Sequence, residues 1–545
     1  MVARLTVLTA VVTIAYGALL FHLYTLQLQK GEYFLARAES QYISPTALKA
    51  ERGAIYFEDK NGNRLPAAIN KKFSVIYAVP KVIDDAQETA NAVAPILKLK
   101  VSDLEKKFSK KDDAYEALVK KADSAMVASV NDLKLKGIYV EAVPERFYPF
   151  GKFAAHVLGY FGPNKNDAGE SGFYGLEQFY NEELTGRVGE VNEGEIVEPV
   201  AGDNIITTID PNIQTQAERI IEDLVVKFKA TGGSVVVEDP KTGKILTMAS
   251  VPEFDPNTYA KSPLKSFLNP AAQELYEPGS VFKIITMAAG IDAGKITPET
   301  TFFDSGVLMV SGKKIQNWDH KGHGTITMTN VIEKSVNTGA AFAERETGHT
   351  IFKNYLHKFG FGEKTGIDLP GEVKGDLRNL HETAPAVAFA TASFGQGVAV
   401  TSLEMINAFA AIANGGKLMR PYLNAEFSSK EVRRVISPAT AKAVTQMMIS
   451  AVDKAEVAKI NGYTIAGKTG TAQVPDLTRG GYTDRVINTY IGFGPTEDPR
   501  FVILIKLNEA EGAPLAGISV VPAFRELAEF ILNYYAVSPD RLVEP

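Results

Sequence analysis

Ser280-Val281-Phe282-Lys283 places a hydroxyl and an amine three residues apart. A serine hydroxyl is a poor nucleophile at neutral pH, so an enzyme that acylates one must hold a base within hydrogen-bond reach of it. A lysine at i+3 meets that need on a helix, where i and i+3 share a face. The context is a helix start: Glu277-Pro278-Gly279 runs into Ile284-Ile285-Thr286-Met287-Ala288-Ala289-Gly290, apolar at helical spacing. Lys283 works as a base only when neutral. Burial and a place in the first turn, at the positive end of the helix dipole, both disfavour its ammonium form. The pattern also occurs at Ser262 to Lys265 and at Ser311 to Lys314. Ser262 is followed by Pro263 in a polar stretch, and Ser311 lies in a Ser-Gly-Lys-Lys hairpin turn, so only Ser280 opens a buried-looking helix.

A second hydroxyl and an amide to carry protons and hold a substrate are offered by Ser335-Val336-Asn337. The triplet repeats at Ser129-Val130-Asn131, in a charged region where a loop or helix-cap role is expected. A third element, Lys-Thr-Gly, occurs three times. Lys241-Thr242-Gly243 joins two apolar runs as a hairpin turn. Lys364-Thr365-Gly366 sits in a loop punctuated by glycine and proline. Lys468-Thr469-Gly470 lies in Tyr463 to Val474, which alternates as a strand with small residues where a ligand must come close.

In chain order, Ser280-x-x-Lys283, Ser335-x-Asn337 and Lys468-Thr469-Gly470-Thr471 form the set known from penicillin-binding proteins and related β-lactamases. The flanks extend the likeness over nearly the whole chain: Gly202 to Asp210 with Ile213-Gln214, Asp239 to Gly243, Phe254 to Asn257, Phe394 to Gly397 and Ala413 to Gly416. The chain resembles the class B, monofunctional penicillin-binding proteins of the septal, cell-division type. That resemblance implies a serine D,D-transpeptidase that joins peptidoglycan stem peptides ending in D-Ala-D-Ala and is acylated by β-lactams. Ser280 is the implied nucleophile, Lys283 its base, Ser335 a proton carrier, and Asn337 a hydrogen-bond partner of Lys283 and of the substrate amide. Lys468 supplies positive potential, Thr469, Gly470 and Thr471 bind substrate, and the backbone N–H groups of Ser280 and Thr471 form an oxyanion hole. No metal or organic cofactor is implied. The implied partners are a membrane glycosyltransferase of the shape, elongation, division and sporulation type and other divisome membrane proteins. A β-lactamase would need a water-activating base and no anchor or pedestal, a membrane β-lactam sensor several spans, and a vestigial scaffold would lack the motif side chains. Asn337 in place of aspartate, and the stretch from Gly360 to Glu372, favour the septal over the elongation branch.

The resemblance implies an α/β (α+β) transpeptidase fold, and the periodicities agree with it by reading as an antiparallel sheet flanked by helices. Strands are expected in Gly233 to Ala249, Val486 to Gly494 and Arg500 to Lys506, and helices after Ser280, over Leu403 to Ala413 and over Thr440 to Ala451. At 545 residues the chain is too long for one core. The expected divisions are a cytoplasmic tail (1–4), a transmembrane helix (5–28), a stalk (29–50), an elongated pedestal or dimerisation-type domain (51–204), the transpeptidase domain (205–537) and a tail (538–545). Arg52-Gly53 to Asn63 resembles the family's pedestal hairpin, lengthened by Phe57 and Glu58. Arg146-Phe147-Tyr148-Pro149 and Gly175-Leu176-Glu177 read as ion pairing and packing within the fold.

Composition narrows the classes. Apolar residues make up 45% and the net charge is −6, with no polybasic tract for nucleic acid. There is no cysteine, which excludes disulfides and thiolate metal sites. The seven histidines show no metal-ligand spacing, and His320 and His323 read as loop residues near the cleft. No Asp, Glu, Lys or Arg lies between Arg4 and Lys30, and the stretch suffices for the ~20 helical residues that cross a bilayer. It exceeds a signal peptide's apolar region of roughly 7 to 15 residues, and the cleavage-like Ala36-Arg37-Ala38 lies well beyond it. A single-pass protein of the cytoplasmic (inner) membrane with its catalytic domain outside is expected.

Overall fold

The computed structural model describes residues 2–30, 50–164, 169–192, 195–476 and 478–542. The stalk expected over 29–50 and the Ala36-Arg37-Ala38 triplet lie almost wholly outside the described residues.

Near the amino terminus, Val2–Tyr24 is an α-helix that continues as a π-turn over Thr25–Gln29. Together they make a helix long and apolar enough to cross a membrane, with no buried residue in its most apolar window. The helix starts at Val2, three residues before the expected span.

The chain forms two units, and the first gathers Met1–Ala54, Asn70–Glu145 and Glu182–Asn204. The segments 55–69 and 146–181, which lie within the expected pedestal, pack with the second unit. The reason is local pairing: Ile55–Glu58 pairs parallel with Ile205-Ile206, and Tyr180 donates to Asp368. In the first unit, Ile76, Val93, Leu97, Leu104, Phe108 and Val130 share one core. Two of its helices begin at acidic caps, Asp85 accepting from Gln87 and Glu88 N–H and Asp123 from Met126 N–H. Ser129-Val130-Asn131 lies within the helix Ser124–Asp132, not in a loop or cap, because Val130 is drawn into this core. Gly53 is required sterically, since a Cβ there would stand 1.9 Å from the Asp203 carbonyl oxygen.

The second unit is built on β1 (Gly232–Glu238), β2 (Ile245–Val251), β3 (Ala466–Pro475), β4 (Tyr482–Gly494) and β5 (Phe501–Asn508). They pair antiparallel in the order β2-β1-β5-β4-β3, so β3 is an edge strand. The helices that concern the site are α1 (Pro211–Lys227), α2 (Lys283–Asp292), α3 (Met328–Lys334), α4 (Asn337–Thr347), α5 (Ser402–Ala413) and α6 (Val520–Tyr534). Alternation in β1 and β5 sends Val235, Val237, Ile503 and Ile505 into a core with Ile213 and Ile221 of α1 and Phe524, Leu527 and Ile531 of α6. The opposite face carries α5, buried from Ser402 to Ile412. This is the expected sheet flanked by helices. β4 begins at Tyr482, four residues before the expected start, and β5 runs two residues further, through buried Leu507 to Asn508.

Within this unit the lengthened hairpin is accommodated by burying Phe57 against Phe153, edge to face at 5.3 Å. Arg146 and Glu177 form a buried pair at 2.7 Å, which Tyr148 joins at 3.0 Å. The carboxy-terminal segment is fastened: Thr464 N–H donates to Asp540, Asp540 and Arg541 N–H donate to the Gly462 carbonyl, and Arg541 pairs with Asp453.

Candidate active site

Gly279–Phe282 forms a 3-10 turn and α2 begins at Lys283. The nucleophile candidate therefore sits in a tight turn ahead of the helix, rather than opening it. The turn is shaped by glycines: Gly279 has φ +61, and its N–H donates to the Gly395 carbonyl. A Cβ on Gly395 would stand 2.3 Å from the Gly279 oxygen. That explains Phe394-Gly395-Gln396-Gly397, whose last N–H donates to Glu277 just before the turn.

Lys283 is fully buried, with Nζ 2.9 Å from Ser280 Oγ, 2.6 Å from the Ser335 carbonyl oxygen and 3.1 Å from Ser335 Oγ. Burial, and then the neighbouring Lys468, hold its pKa well below the ordinary lysine value. A neutral amine has two hydrogens and one lone pair. It can donate to both Ser335 oxygens and still accept the Ser280 proton.

Ser335 follows the last residue of α3 in a left-handed conformation, φ 56 and ψ 45. Side chains other than glycine adopt it at a cost. Here it turns the carbonyl and the hydroxyl of one residue toward one amine. Lys468, on β3, approaches from the other side with Nζ 3.1 Å from Ser335 Oγ, 3.1 Å from the Thr469 carbonyl and 3.3 Å from Thr469 Oγ1. Burial lowers its pKa to about 7. Among the described residues neither lysine has a carboxylate partner.

Alternation on β3 puts Lys468, Gly470 and Ala472 on the buried side and leaves Thr469 and Thr471 half-exposed. Gly470 permits the strand to lie against the serine turn: a Cβ would be 2.9 Å from the Pro278 oxygen and 3.1 Å from Val281 Cγ1. The sequence-predicted set thus comes together as one chain of contacts from Ser280 through Lys283 and Ser335 to Lys468 and Thr469. The decoys stay apart as turns or loops: Ser311 between Val307–Val310 and Lys313–Gln316, and Lys241-Thr242-Gly243 between β1 and β2.

One expected bond is absent. Asn337 does not reach Lys283; its Nδ2 donates to the Gln316 carbonyl at 2.9 Å. The three bonds of Lys283 are already taken by Ser280 and Ser335, and the Gln316 backbone competes for the amide. Asn337 Oδ1 has no partner among the described residues and can accept from a substrate amide.

The family follows from comparison of the whole chain. The family model for the penicillin binding protein transpeptidase domain matches residues 233–529, and that for the penicillin-binding protein dimerisation domain matches 47–217. The chain is a class B penicillin-binding protein. It is 32% identical to stage V sporulation protein D of Bacillus subtilis over 94% of this chain and 83% of that protein. It is 27% identical to the probable peptidoglycan D,D-transpeptidase PenA of Neisseria meningitidis, over 98% and 93%. The crystal structure of penicillin-binding protein 3 from Mycobacterium tuberculosis with aztreonam superposes with a TM-score of 0.68, at 27% identity over 91% of this chain and 99% of that one.

Sequence reasoning missed two supports of this penicillin-binding protein's cleft. Asn488, fully buried on β4, meets Thr471 Oγ1 at 3.3 Å and donates to the Ala513 carbonyl at 2.7 Å. Glu277 accepts from the Tyr482 hydroxyl at 2.9 Å. Their only sequence signal is a polar residue in an apolar strand and an acid beside the serine turn.

Proposed function

We propose that this penicillin-binding protein is a peptidoglycan D,D-transpeptidase acting through an acyl ester on Ser280, at the division septum. The reading is carried by the unbroken contact from Ser280 Oγ through Lys283 Nζ and Ser335 Oγ to Lys468 Nζ.

Ser280 Oγ attacks the carbonyl carbon of the penultimate D-alanine and gives its proton to neutral Lys283. The negative charge on the carbonyl oxygen is met by the N–H groups of Ser280 and Thr471, each such donor being worth about 3 to 4 kcal/mol. The C–N bond breaks as Ser335 Oγ passes a proton to the leaving D-alanine and takes one from Lys283. An amine of a neighbouring stem peptide then attacks the ester, its proton returns along the same path, and Ser280 regains its hydroxyl as the cross-link forms. Lys468 and the Thr469 and Thr471 hydroxyls bind the terminal carboxylate, and Asn337 Oδ1 accepts from the substrate amide. β-Lactams acylate the same serine; the family resemblance and the aztreonam-bound relative support this.

The protein sits in the cytoplasmic membrane by its amino-terminal helix, with the transpeptidase domain outside, where stem peptides are. A membrane glycosyltransferase of the shape, elongation, division and sporulation type supplies the glycan strands. Ser335-Val336-Asn337 and the Gly360 to Glu372 loop favour the septal role; depletion in the source organism should give filaments, and swollen round cells would point to elongation. The activity test is intact mass of the full-length protein in detergent after a fluorescent penicillin, beside Ser280→Ala. A stable adduct on the native chain alone supports the reading. No adduct with intact drug would indicate a non-catalytic scaffold, and no adduct with consumed drug a β-lactamase.

A further inference from the structure

Ser335 is held between two helices in a conformation serine rarely adopts. Two consecutive residues, Asn317 and Trp318, grip the chain on either side of it. Asn317 Oδ1 accepts from Asn337 N–H at 3.1 Å and Thr338 N–H at 3.2 Å, the first two amides of α4. The N-cap of that helix, Val336, has no side-chain acceptor of its own, so Asn317 caps it from a distance. Trp318 Nε1 donates to the carbonyl of Lys334, the last residue of α3, at 3.1 Å. Asn317 is in turn fixed: it is buried, and its Nδ2 donates to Asp304 Oδ2 at 2.8 Å and to the Lys321 carbonyl at 3.0 Å. Asp304, also buried, receives the Thr338 hydroxyl at 2.7 Å.

We infer that Asn317 and Trp318 are positioning residues that lock Ser335 in its left-handed conformation and so set the proton path between Ser280 and the leaving group. If α4 or the end of α3 shifts, the Ser335 carbonyl and hydroxyl can no longer both face Lys283. The inference rests on the role given to Ser335 above.

The test uses the full-length protein in detergent and the concentration dependence of acylation by a fluorescent penicillin, which separates the limiting rate constant from the binding constant. Asn317→Ala should lower the limiting rate constant roughly 10- to 100-fold and leave binding unchanged. Trp318→Phe, which keeps the ring and loses the N–H, should lower it less. The exchange Asn317→Asp with Asp304→Asn keeps an acceptor for α4 and a bond between the two side chains, and should recover most of the rate. A native rate in Asn317→Ala, or a loss shared by rate and binding that the exchange does not recover, overturns the inference. Should Asn317→Ala fail to fold, Trp318→Phe decides alone, an unchanged rate overturning the clamp. Ser335→Ala separates the two levels: a native rate there removes the role of Ser335 and the clamp with it, whereas a slow Ser335→Ala beside a normal Asn317→Ala removes the clamp alone.

Discussion

Lys283 and Lys468 share one hydroxyl, each amine standing 3.1 Å from Ser335 Oγ. Two ammonium ions could not both sit there without an acid, and no described carboxylate bonds to either. The resting site therefore favours a neutral Lys283.

Replacing the shared group tests this first. Ser335→Ala should leave the fold intact, since Ser335 is not part of the hydrophobic core, and slow acylation of Ser280 by roughly 10²- to 10⁴-fold, the usual worth of a positioned proton carrier. Rapid-mixing labelling with a fluorescent penicillin measures it.

The pH profile of acylation should be bell-shaped. Lys283 must be neutral, so the rate rises with pH through its depressed pKa. In the proposed mechanism Lys468 holds the ligand carboxylate as its ammonium form, so the second-order rate should fall above its free-enzyme value of about 7. Bound carboxylate favours the ammonium form and moves that limb to higher pH at saturation. Lys468→Arg, permanently charged, should lose the alkaline limb.

Stability should move the opposite way from activity. A lysine whose folded pKa lies near 7 carries a burial cost that is complete below pH 7 and fades as pH rises toward the unfolded value near 10.4. Lys468→Met should raise stability at pH 7 by removing the uncompensated burial of the amine and abolish rapid acylation. Denaturant unfolding compared at pH 7 and pH 10 checks it, the gain shrinking at the higher pH.

Gly470→Ala puts a methyl 2.9 Å from the Pro278 carbonyl oxygen. Neither partner is a flexible side-chain end, so β3 must move away from the serine turn. Acylation should fall about tenfold, near 1.4 kcal/mol, with secondary structure unchanged by circular dichroism.

Arg146→Met isolates the fold from the chemistry. It removes the Arg146 guanidinium from Glu177, whose side chain is 0% exposed, and breaking such a buried pair should cost about 3 to 5 kcal/mol. The folded fraction should acylate at the native rate, a split that unfolding curves and active-site titration resolve.

The candidate set that the structure brings together was legible where its signals are local. Ser280 was separable from Ser262 and Ser311 by its flanks, and Lys468 from Lys241 and Lys364 by strand alternation. What escaped was set by tertiary competition. The Gln316 carbonyl claims Asn337, an interaction 21 residues away in sequence. The left-handed Ser335 has no marker, because serine is not the residue that announces positive φ. Ser129-Val130-Asn131 entered a helix because Val130 joins a core with Ile76, Val93 and Leu104, which lie well back along the chain. The packing of 55–69 with the second unit was likewise hidden, since it follows strand pairing between Ile55-Tyr56 and Ile205-Ile206.

The bonds from Asp540 and Arg541 back to Gly462 and Thr464 bear on where this polypeptide can be cut or joined. Thr464 is two residues ahead of Ala466, where β3 begins, and Asp540 accepts its amide at 2.7 Å. A fluorescent reporter attached after residue 542 leaves that stitch in place. One that replaces the residues after Tyr535 removes it and loosens the turn that leads into the strand carrying Lys468.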